Sequence, residues 1–423
     1  MKNAYKIRFV VALLIFALVT LAFIGHFYPV KILDLQIAPL IQRVFVDFSI
    51  IALILLITIM FITLLYGRFY CSIICPFGFL QEVMALIFKC KNKTIKNYPA
   101  KYYIMALSFG ALVGGSAIVL RYIEPYSLFG SAVSISILGI VAIITVLAIV
   151  FFKNRFFCTN ICPVGALLGL FSKNSFNKIY VKTDMCVSCG MCEKVCPSGC
   201  IDSKEKNVDN ETCIRCLKCL QVCPKGGIEF GHQLSGEKIF SPKRRQLIVG
   251  ATVLTVFGGM IKAGMVLKDI IAEKVKDIIL PAGALTKERF LNKCFNCNLC
   301  VKNCPSKILA KADKNIPVVH VDYSNGYCKY DCHKCGEVCP TGAIKRLPIE
   351  EKQNLRIAIA VIDNQICTGC GLCVESCPHS AITKQSGEKP NLNALKCIGC
   401  GACKSVCRFN AIKIYSVSEQ KNI

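Results

Sequence analysis

Long apolar runs separated by polar loops dominate the hydropathy pattern of the first third of the chain. Four of them cover residues 7–24, 48–66, 102–120 and 132–152. Because roughly 20 apolar residues in a helix cross about 30 Å of hydrocarbon, each run predicts a transmembrane helix. A fifth run contains Lys262, whose amine can extend to the membrane surface if the helix spans. The pattern therefore predicts four to five transmembrane helices.

Basic residues are distributed unequally between the loops. The N-terminus and the loops at 67–101 and 153–178 hold most of them, whereas the alternate loops hold only Lys31, Arg43 and Arg121. Because basic loops stay on the cytoplasmic side, the N-terminus, the first of these loops and the segment after the fourth run are predicted to be cytoplasmic. We therefore expect a multi-pass protein of the cytoplasmic (inner) membrane.

Two arginines, Arg244 and Arg245, precede the fifth apolar run at 247–266 and resemble a twin-arginine export signal. Such a signal carries folded, cofactor-loaded domains across the membrane. The alternative is an ordinary fifth transmembrane helix with two arginines at its cytoplasmic end. Both interpretations place residues 267–423 on the outer face, whereas a third, an amphipathic helix on the inner surface, does not.

Cysteine content and charge narrow the chemistry. The chain has 423 residues, 54% of them hydrophobic, and 30 cysteines that occur in runs of four instead of the scattered pairs of a disulfide scaffold. Such runs indicate metal–thiolate sites. The formal net charge is +25, and each thiolate-bound 4Fe-4S cluster offsets about two of these units. The basic residues lie among the cluster loops without an aromatic stripe, so nucleic acid is not expected as a partner.

Six cysteine runs follow the bacterial ferredoxin spacing CxxCxxCxxxC or a close variant, and they form three adjacent pairs. In such a pair, three cysteines of one run and the last cysteine of the other hold one 4Fe-4S cluster. The predicted ligands of the six clusters are Cys186, Cys189, Cys192 and Cys223; Cys213, Cys216, Cys219 and Cys196; Cys294, Cys297, Cys300 and Cys339; Cys328, Cys332, Cys335 and Cys304; Cys367, Cys370, Cys373 and Cys407; and Cys397, Cys400, Cys403 and Cys377.

Some positions in these runs depart from the pattern. Three residues separate Cys328 from Cys332, so the fourth loop is expected to bulge, and Cys332 with His333 does not fit a c-type haem attachment. Arg408 replaces the usual proline of the last run, and Cys200 is expected to be a small buried hydrophobic side chain. Short β-prone strings flank the loops, so each pair of runs predicts an α+β dicluster ferredoxin-like module.

A second motif is repeated at the ends of the apolar hairpins. The two copies are GRFYCSIICPFG at 67–78 and NRFFCTNICPVG at 154–165. They mark an internal duplication with an offset of 87 residues. The spacing of Cys71 and Cys75, and of Cys158 and Cys162, puts both sulfurs of a pair on one helix face. Four thiols at the cytoplasmic membrane surface predict a further metal or redox centre, with packed or turn cysteines as the alternative.

These features predict five segments. They are a four-helix membrane domain at 1–172, a cytoplasmic dicluster module at 173–232, a linker with the fifth apolar helix at 233–290, and two further dicluster modules at 291–350 and 351–423. The chain is thus expected to combine a membrane α-helical domain with α+β ferredoxin-like modules.

The motifs carry a family resemblance. Residues 1–232, with two RF(Y/F)CxxxCP motifs and a dicluster tail, resemble the membrane subunit of the quinol dehydrogenase of periplasmic nitrate reductase and its methylamine-utilisation relative. Residues 241–423 resemble the partner iron–sulfur subunit of that system. The chain is therefore similar to a fusion of two polyferredoxin-family subunits. The resemblance implies an electron-transfer subunit, a quinol dehydrogenase component, that draws on the quinol pool and reduces a protein acceptor such as a cytochrome or an exported reductase.

Two other functions stay open. One is a reductase for copper or iron in the assembly of a respiratory enzyme, and the other is a redox sensor or scaffold without turnover. Quinol oxidation releases protons, and Glu124 is the candidate acceptor, in a short loop near the outer rim. Its alternative role is a helix cap or an ion pair with Arg121. With modules expected on both faces, the paired cysteines and a bound quinone are the expected stepping stones across the membrane.

Overall fold

The computed structural model divides the chain into two compact units, each with buried cores of its own. The units are Met1–Gly114 with Ile118–Gly264, and Gly115–Ala117 with Met265–Ile423. The structure describes residues 4–24, 33, 35–88, 90, 95–133, 137–232, 244–312, 316 and 318–421.

The first unit begins with two similar sets of helices. The first set is α1 (Ala4–Ile24), α2 (Ile37–Asp47), α3 (Ile50–Tyr66), α4 (Tyr70–Ile73) and α5 (Pro76–Ile87). The second set is α6 (Ala100–Val113), α7 (Ile118–Ile123), α8 (Pro125–Val133), α9 (Ile137–Lys153), a π-helix (Phe157–Ile161) and α10 (Pro163–Lys173). Helices α2 and α8, α3 and α9, and α5 and α10 keep nearly the offset of the cysteine motifs. The duplication therefore extends well beyond those motifs.

Helices α2 and α8 correct the sequence analysis, which treats their residues as loops on the outer side. Residues 37–42 of α2 and residues 125–131 of α8 are all buried. With 11 and 9 residues, these helices are too short to cross the hydrocarbon, so the search for long apolar runs passes over them.

Two helices of the described chain are long and apolar enough to cross a membrane. They are α1 and the 25-residue stretch Val249–Glu273 of α13 (Arg244–Lys274). The other predicted runs form shorter apolar helices, with 17 residues in α3 and α9 and 14 in α6. The predicted helix at 102–120 is wrong in its length, because α6 ends at Val113 and the left-handed φ of +88° at Gly115 breaks the helix.

A ferredoxin-like module follows α10 within the first unit. Its elements are β1 (Lys178–Val181), α11 (Met191–Val195), β2 (Ile201–Asp202), β3 (Asn207–Val208), α12 (Lys218–Val222) and β4 (Ile228–Gly231). Strand β1 pairs antiparallel with β4, and β2 pairs with β3. The cysteine loops lie between these strands and pack on Ile179, Ile201 and Ile228. The two small sheets thus hold the two cysteine runs side by side.

Arg215 fastens this module to the end of α3. Its Nε donates to the Tyr66 carbonyl oxygen at 3.0 Å, and its guanidinium also bonds to Ser175 Oγ at 2.8 Å. A Cβ on Gly67 would lie 2.3 Å from Arg215 Nε, and Gly67 has a φ of +80°. The motif glycine is therefore required both by its backbone conformation and by the arginine packed on it.

The second unit contains the remaining cysteine runs. Its elements after α13 are α14 (Lys287–Lys293), α15 (Leu299–Lys302), β5 (Leu309–Ala310), β6 (His320–Val321), α16 (Lys334–Glu337), α17 (Ile349–Gln353), β7 (Ala358–Ile362), α18 (Leu372–Glu375), β8 (Ile382–Thr383), β9 (Asn391–Leu392), α19 (Ala402–Val406) and β10 (Ile412–Ser416). Strand β7 pairs antiparallel with β10 around the hairpin of β8 and β9, as β1 and β4 do around β2 and β3. Strands β5 and β6 also pair.

Candidate functional site

Five cavities are each lined by the four predicted ligand cysteines of one set, drawn from two paired runs. The sets are Cys186, Cys189, Cys192 and Cys223; Cys196, Cys213, Cys216 and Cys219; Cys304, Cys328, Cys332 and Cys335; Cys367, Cys370, Cys373 and Cys407; and Cys377, Cys397, Cys400 and Cys403. The fold brings together each of these predicted combinations, three cysteines from one run and one from its partner. This exchange is the arrangement that dicluster ligation requires.

The other predicted set, Cys294, Cys297, Cys300 and Cys339, also comes together. Burial raises the pKa of Cys297 to about 12, and the nearby charges of Cys339 and Cys294 add to the shift. Burial also raises the pKa of Cys300 well above its usual value, and the charges of Cys297, Cys294 and Cys339 add to the shift. Bound iron would reverse this preference for the thiol, because a coordinating cysteine is deprotonated.

Left-handed backbone conformations shape five of the six cysteine loops. The residue before the second cysteine has positive φ in each, and so does the residue after it. The first set is Ser188, Arg215, Asn296, Gly369 and Gly399, and the second is Gly190, Leu217, Asn298, Gly371 and Gly401. The sequence analysis offers no reason to expect Leu217 or Arg215 here, because such side chains disfavour this region. The loop geometry therefore overrides their intrinsic preference.

The fourth loop differs, as its extra residue predicts. His333 after Cys332 has a φ of −128° and is not left-handed. Its Nε2 lies 2.9 Å from Glu337 Oε1, one turn further along α16. The additional residue between Cys328 and Cys332 therefore replaces the double left-handed turn of the other loops while keeping the cysteines at one cavity.

Backbone N–H groups point at cysteine sulfurs in several sets. Gly227 N donates to Cys223 Sγ at 3.2 Å, and Ala381 N donates to Cys377 Sγ at 3.3 Å. Among the described residues, no three His, Cys, Asp or Glu side chains are placed to bind a single metal ion. Cysteines that surround a cavity and accept N–H bonds fit the sulfur-ligated corners of a multi-iron core. The residues present therefore fit 4Fe-4S clusters.

Cys200 is buried as expected, but it is not merely a packing residue. Its Sγ lies 3.4 Å from Cys196 Sγ, and it lines the same cavity as the second set. Hydrogen bonds to Cys196 and Cys213 raise the pKa of the Cys200 thiol well above its usual value. Cys200 is thus placed to donate an S–H hydrogen bond to ligand sulfurs.

The paired cysteines of the two repeats are buried next to each other. We call Cys71, Cys75, Cys158 and Cys162 the four-cysteine site; each is 5–6% exposed. Burial raises the pKa of Cys75 and of Cys162 well above the usual value, and each responds to the charges of Cys158 and Cys71. The predicted convergence of the two motifs is therefore present in the structure.

Two arginines cross between the motifs. Arg68, which precedes the first pair, donates to the Cys158 carbonyl oxygen at 2.8 Å, and Arg155, which precedes the second, donates to the Cys71 carbonyl oxygen at 3.2 Å. Both are fully buried. Gly78 leaves room for this crossing, since a Cβ there would lie 2.3 Å from the Cys71 oxygen. The reciprocal bonds join the repeats with approximate two-fold symmetry.

A buried carboxylate connects this site to the ferredoxin-like module. Glu82 on α5 accepts from Arg8 at 2.7 Å and from Arg155 at 2.8 Å, and Lys218 lies 3.1 Å away. Lys218 stands between Cys216 and Cys219 of the second set. Burial opposes the charged form, but the bonds from Arg8 and the charges of Arg155 and Lys218 outweigh it and lower the pKa of Glu82 to about 2.

The sequence analysis missed Glu82 as a functional residue. The signal available is its isolation, because it is one of four acidic residues in the first 172 and lies in an apolar segment. An ionisable group in such a segment is retained only if it is paired or functional. Its three basic partners are far apart in the sequence, so no local pattern identifies them.

Glu124 lies in the one-residue connection between α7 and α8. It directly precedes the buried helix α8, and its carboxylate accepts a hydrogen bond from Ser127 N at 2.7 Å. Its negative charge adds to the burial that raises the pKa of Tyr70 and of Cys75. Glu124 is thus a helix cap placed near the four-cysteine site.

Models of iron–sulfur domains match the chain at all of these sites. A 4Fe-4S binding domain matches residues 48–94 and 135–181, around the two paired-cysteine motifs. One 4Fe-4S dicluster domain matches 178–224 and 359–408, and a second matches 293–343 and 328–381.

Curated relatives include several ferredoxin-type proteins. An uncharacterized protein of Methanocaldococcus jannaschii is 31% identical over 38% of this chain and 65% of its own length. The methylamine utilization ferredoxin-type protein MauM of Methylophilus methylotrophus is 31% identical over 33% of this chain and 64% of its own. The ferredoxin-type protein NapF of Escherichia coli K12 is 29% identical over 26% of this chain and 87% of its own. The chain spans less than two thirds of the first two.

Proposed function

We propose that the chain carries electrons from membrane quinol to a protein redox partner. The premise is that the chain is an iron–sulfur electron-transfer protein of the ferredoxin-type family. The partner is an exported or membrane-associated protein, such as a cytochrome or a reductase. In this role the chain is the electron-transfer component of a quinol dehydrogenase.

Six 4Fe-4S clusters are proposed, one for each predicted set of four cysteines. The support is the convergence of each set, around a cavity for five of them. A bound cluster of this kind takes up and releases one electron, at a potential set by hydrogen bonds, charge and exposure. The chain supplies these influences through N–H donors such as Gly227 and through Cys200.

The four-cysteine site is proposed as a further metal or redox centre. Its support is electrostatic. Arg68 is fully buried, and its partners among the described residues are two carbonyl oxygens and Cys71 Sγ, without a carboxylate. A buried guanidinium needs a compensating negative charge, and metal-bound thiolates at Cys71 and Cys158 would provide it.

The second cluster set is proposed as the one that exchanges electrons with the four-cysteine site. Arg155 bonds to both the Cys71 carbonyl oxygen and Glu82, and Glu82 is paired with Lys218 of the second ligand loop. The backbone N–H of Arg155 also donates to the carbonyl oxygen of Pro197, directly after Cys196. These contacts fix the position of the second cluster set relative to the four-cysteine site.

The proposed location is the cytoplasmic membrane, with four to five spans and ferredoxin-like modules on both faces. Support comes from the two long apolar helices, from the shorter helices α3, α6 and α9, and from the basic loops. Dicluster modules are proposed at 173–232, 291–350 and 351–423; for the first and the last, support comes from the strand pairs β1–β4 and β7–β10, which enclose their cysteine runs.

The surface proposed for electron exchange with a protein partner lies at the exposed cysteines. Cys189 of the first set and Cys370 of the fifth are exposed, whereas the cysteines of the second set are all buried. Apolar side chains next to them, Val187 and Ile366, are also exposed. A partner that docks on such a surface comes close to a cluster without displacing the chain.

The convergence of paired cysteine runs carries this proposal. Its test is anaerobic purification in detergent, analysis of iron and acid-labile sulfide, and addition of menadiol to protein in lipid vesicles. We expect about 24 irons for six clusters and bleaching of cluster absorbance by menadiol, with electron flow to an added acceptor.

Other results would favour the rival functions. Electron flow from menadiol that occurs only with copper or iron ions as acceptors indicates a metal reductase. Clusters that dithionite reduces but that sustain no electron flow from menadiol indicate a sensor or scaffold, and they refute the quinol proposal. About 16 irons would remove two of the six clusters.

A further inference from the structure

Gln36 and Glu124 occupy equivalent positions in the two repeats. Each directly precedes one of the short buried helices, α2 for Gln36 and α8 for Glu124. Their exposed fractions are 1% and 2%. The repeats therefore place an amide and a carboxylate at matched helix N-termini, where backbone N–H groups are also unpaired within the helix.

The Gln36 side chain is only half satisfied. Its Oε1 accepts a hydrogen bond from the Tyr70 hydroxyl at 2.7 Å. Its Nε2 has no acceptor within the described chain, and the side chain does not cap α2. A fully buried amide donor without an acceptor is costly, so this N–H group points to a ligand that carries an oxygen acceptor.

Glu124 lies near the same tyrosine. Its negative charge contributes to the raised pKa of Tyr70 and to that of Cys75 in the four-cysteine site. Its carboxylate accepts a hydrogen bond from Ser127 N at 2.7 Å. Burial raises the pKa of Glu124 to about 7, with the bonds from Ser127 and Tyr126 opposing the shift. Such a carboxyl group can both accept and release a proton near neutral pH.

We propose that Gln36 and Glu124 bind the head group of a quinol beside the four-cysteine site. Gln36 Nε2 donates to one quinol oxygen, and the Glu124 carboxylate accepts the hydroxyl hydrogen of the other. This inference rests on the proposed function and supplies the substrate site that the sequence analysis leaves unidentified.

The chemistry of the site balances. The quinol loses two O–H protons and two electrons and becomes the quinone. The proton of the hydroxyl that faces Glu124 passes to its carboxylate and from there to the aqueous phase, and the proton of the hydroxyl that faces Gln36 leaves to water. The electrons leave singly, and the oxidants are two oxidised iron–sulfur centres of the chain, each reduced by one electron.

Tyr70 acts as a positioning residue. Its hydroxyl donates to Gln36 Oε1 and accepts from Ile37 N at 3.3 Å, so it fixes the orientation of the amide. The equivalent residue in the second repeat is Phe157, which has no hydroxyl. The site is therefore asymmetric, with the amide held on one side and the proton acceptor on the other.

The test uses the full chain in lipid vesicles, with menadiol as the electron donor. The variants are Gln36→Leu, Glu124→Gln and Tyr70→Phe. The matched controls are Gln42→Leu, a buried glutamine on the same helix α2, and Glu205→Gln, an exposed carboxylate. Iron content and reduction by dithionite verify that every variant retains its clusters. Binding of the quinol analogue 2-heptyl-4-hydroxyquinoline N-oxide, followed by its fluorescence, gives a readout that is independent of turnover.

We expect Gln36→Leu to weaken analogue binding about tenfold, the loss of one hydrogen bond to a buried group. Glu124→Gln should slow menadiol-driven cluster reduction by about 100-fold or more, as for loss of a general base. Tyr70→Phe should raise the KM for menadiol and leave kcat nearly unchanged. The controls should behave as the unaltered protein.

Two outcomes separate the site from the function. If menadiol reduces the unaltered protein and all three variants equally well, the quinol proposal stands and this site is wrong. If menadiol does not reduce the unaltered protein while dithionite does, the proposed function itself fails. Equal analogue binding by Gln36→Leu and the unaltered protein would also overturn the role of Gln36.

Discussion

Lys218 lies 3.1 Å from Glu82, so the loop that carries the second cluster set and the helices of the first unit share one buried ion cluster. Three basic side chains surround this single carboxylate. The three basic side chains exceed the single carboxylate in charge, and metal-bound thiolates nearby would supply the remaining negative charge. Attachment of the module and charge balance therefore depend on the same residue.

Replacing Glu82 should destabilise the first unit. Glu82→Gln leaves Arg8 and Arg155 buried without their carboxylate, and breaking a buried pair in this way costs about 3–5 kcal/mol. The measurement is thermal or denaturant unfolding of detergent-solubilised protein. The control is Glu229→Gln, which removes a half-buried surface pair with Lys182 and should change stability less. Equal stability of the two variants would contradict the role assigned to Glu82.

The contribution of Glu82 should also depend on pH. Its folded pKa of about 2 lies below the ordinary value of 4.5. Its stabilisation is therefore complete above about pH 4.5 and is lost as the pH falls towards 2. The stability difference between the unaltered protein and Glu82→Gln should shrink over this interval and stay constant between pH 6 and 8. A difference that does not change on acidification would disprove this assignment.

Cys200 should tune the potential of the second cluster. Its thiol is placed to donate to the Cys196 and Cys213 sulfurs, and such bonds favour the more negative, reduced state. We expect Cys200→Ala to lower the reduction potential by roughly 40 mV, equivalent to one hydrogen bond of about 1 kcal/mol in a one-electron couple. Redox titration followed by electron paramagnetic resonance measures the shift. Loss of the cluster in this variant would instead identify Cys200 as a ligand.

The four-cysteine site should bind metal in addition to the six clusters. In the double variant Cys71→Ser with Cys158→Ser, we expect the metal content to fall while about 24 cluster irons remain. Cys90→Ser is the control, because this cysteine belongs to neither the site nor the cluster runs. Elemental analysis of anaerobic preparations decides the matter. Identical metal contents in both variants would assign the four cysteines to packing.

Quinol oxidation should become faster as the pH rises through about 7. The Glu124 carboxylate accepts a proton only when it is ionised, and burial raises its pKa to about 7. Other ionisable side chains lie on the same segment, on the elements packed against α8 or near the carboxylate. They are Tyr126, Tyr5, Lys6, Arg8, Glu82, Arg121, Tyr122, Lys153, Tyr70 and Cys75. Rates of menadiol-driven reduction at pH 5.5 to 8.5 should lose this dependence in Glu124→Gln. A pH profile shared by the variant and the unaltered protein would assign the dependence to another group.

Much of the candidate site is encoded locally and could be predicted. Cysteine ligands in a tight loop need fixed short spacings, so the runs alone indicate which sulfurs share a cluster. The bulge at Cys332 is likewise visible as one extra residue. The conformation of Leu217 is not, because its positive φ is imposed by the loop around it against its own preference.

Helix lengths and buried charges were less accessible to prediction. A run at 102–120 contains enough apolar residues to span, but Gly114 and Gly115 end the helix early. Helices α2 and α8 are too short to stand out in a hydropathy pattern. Their burial comes from packing against other helices of the first unit, α2 against α3 and α8 against α9.

The sequence by itself determined the grouping of the cysteine runs in pairs, the internal duplication and the relation to ferredoxin-type proteins, because each depends on spacing or composition within short segments. Only the tertiary structure decided which distant groups meet. Arg8 and Glu82 are separated by 74 residues, and Gln36 meets Tyr70 only through the packing of α2. Electrostatic pairing and hydrogen bonding act over a few ångströms in space, and no periodicity along the chain records which residues folding will bring within that range.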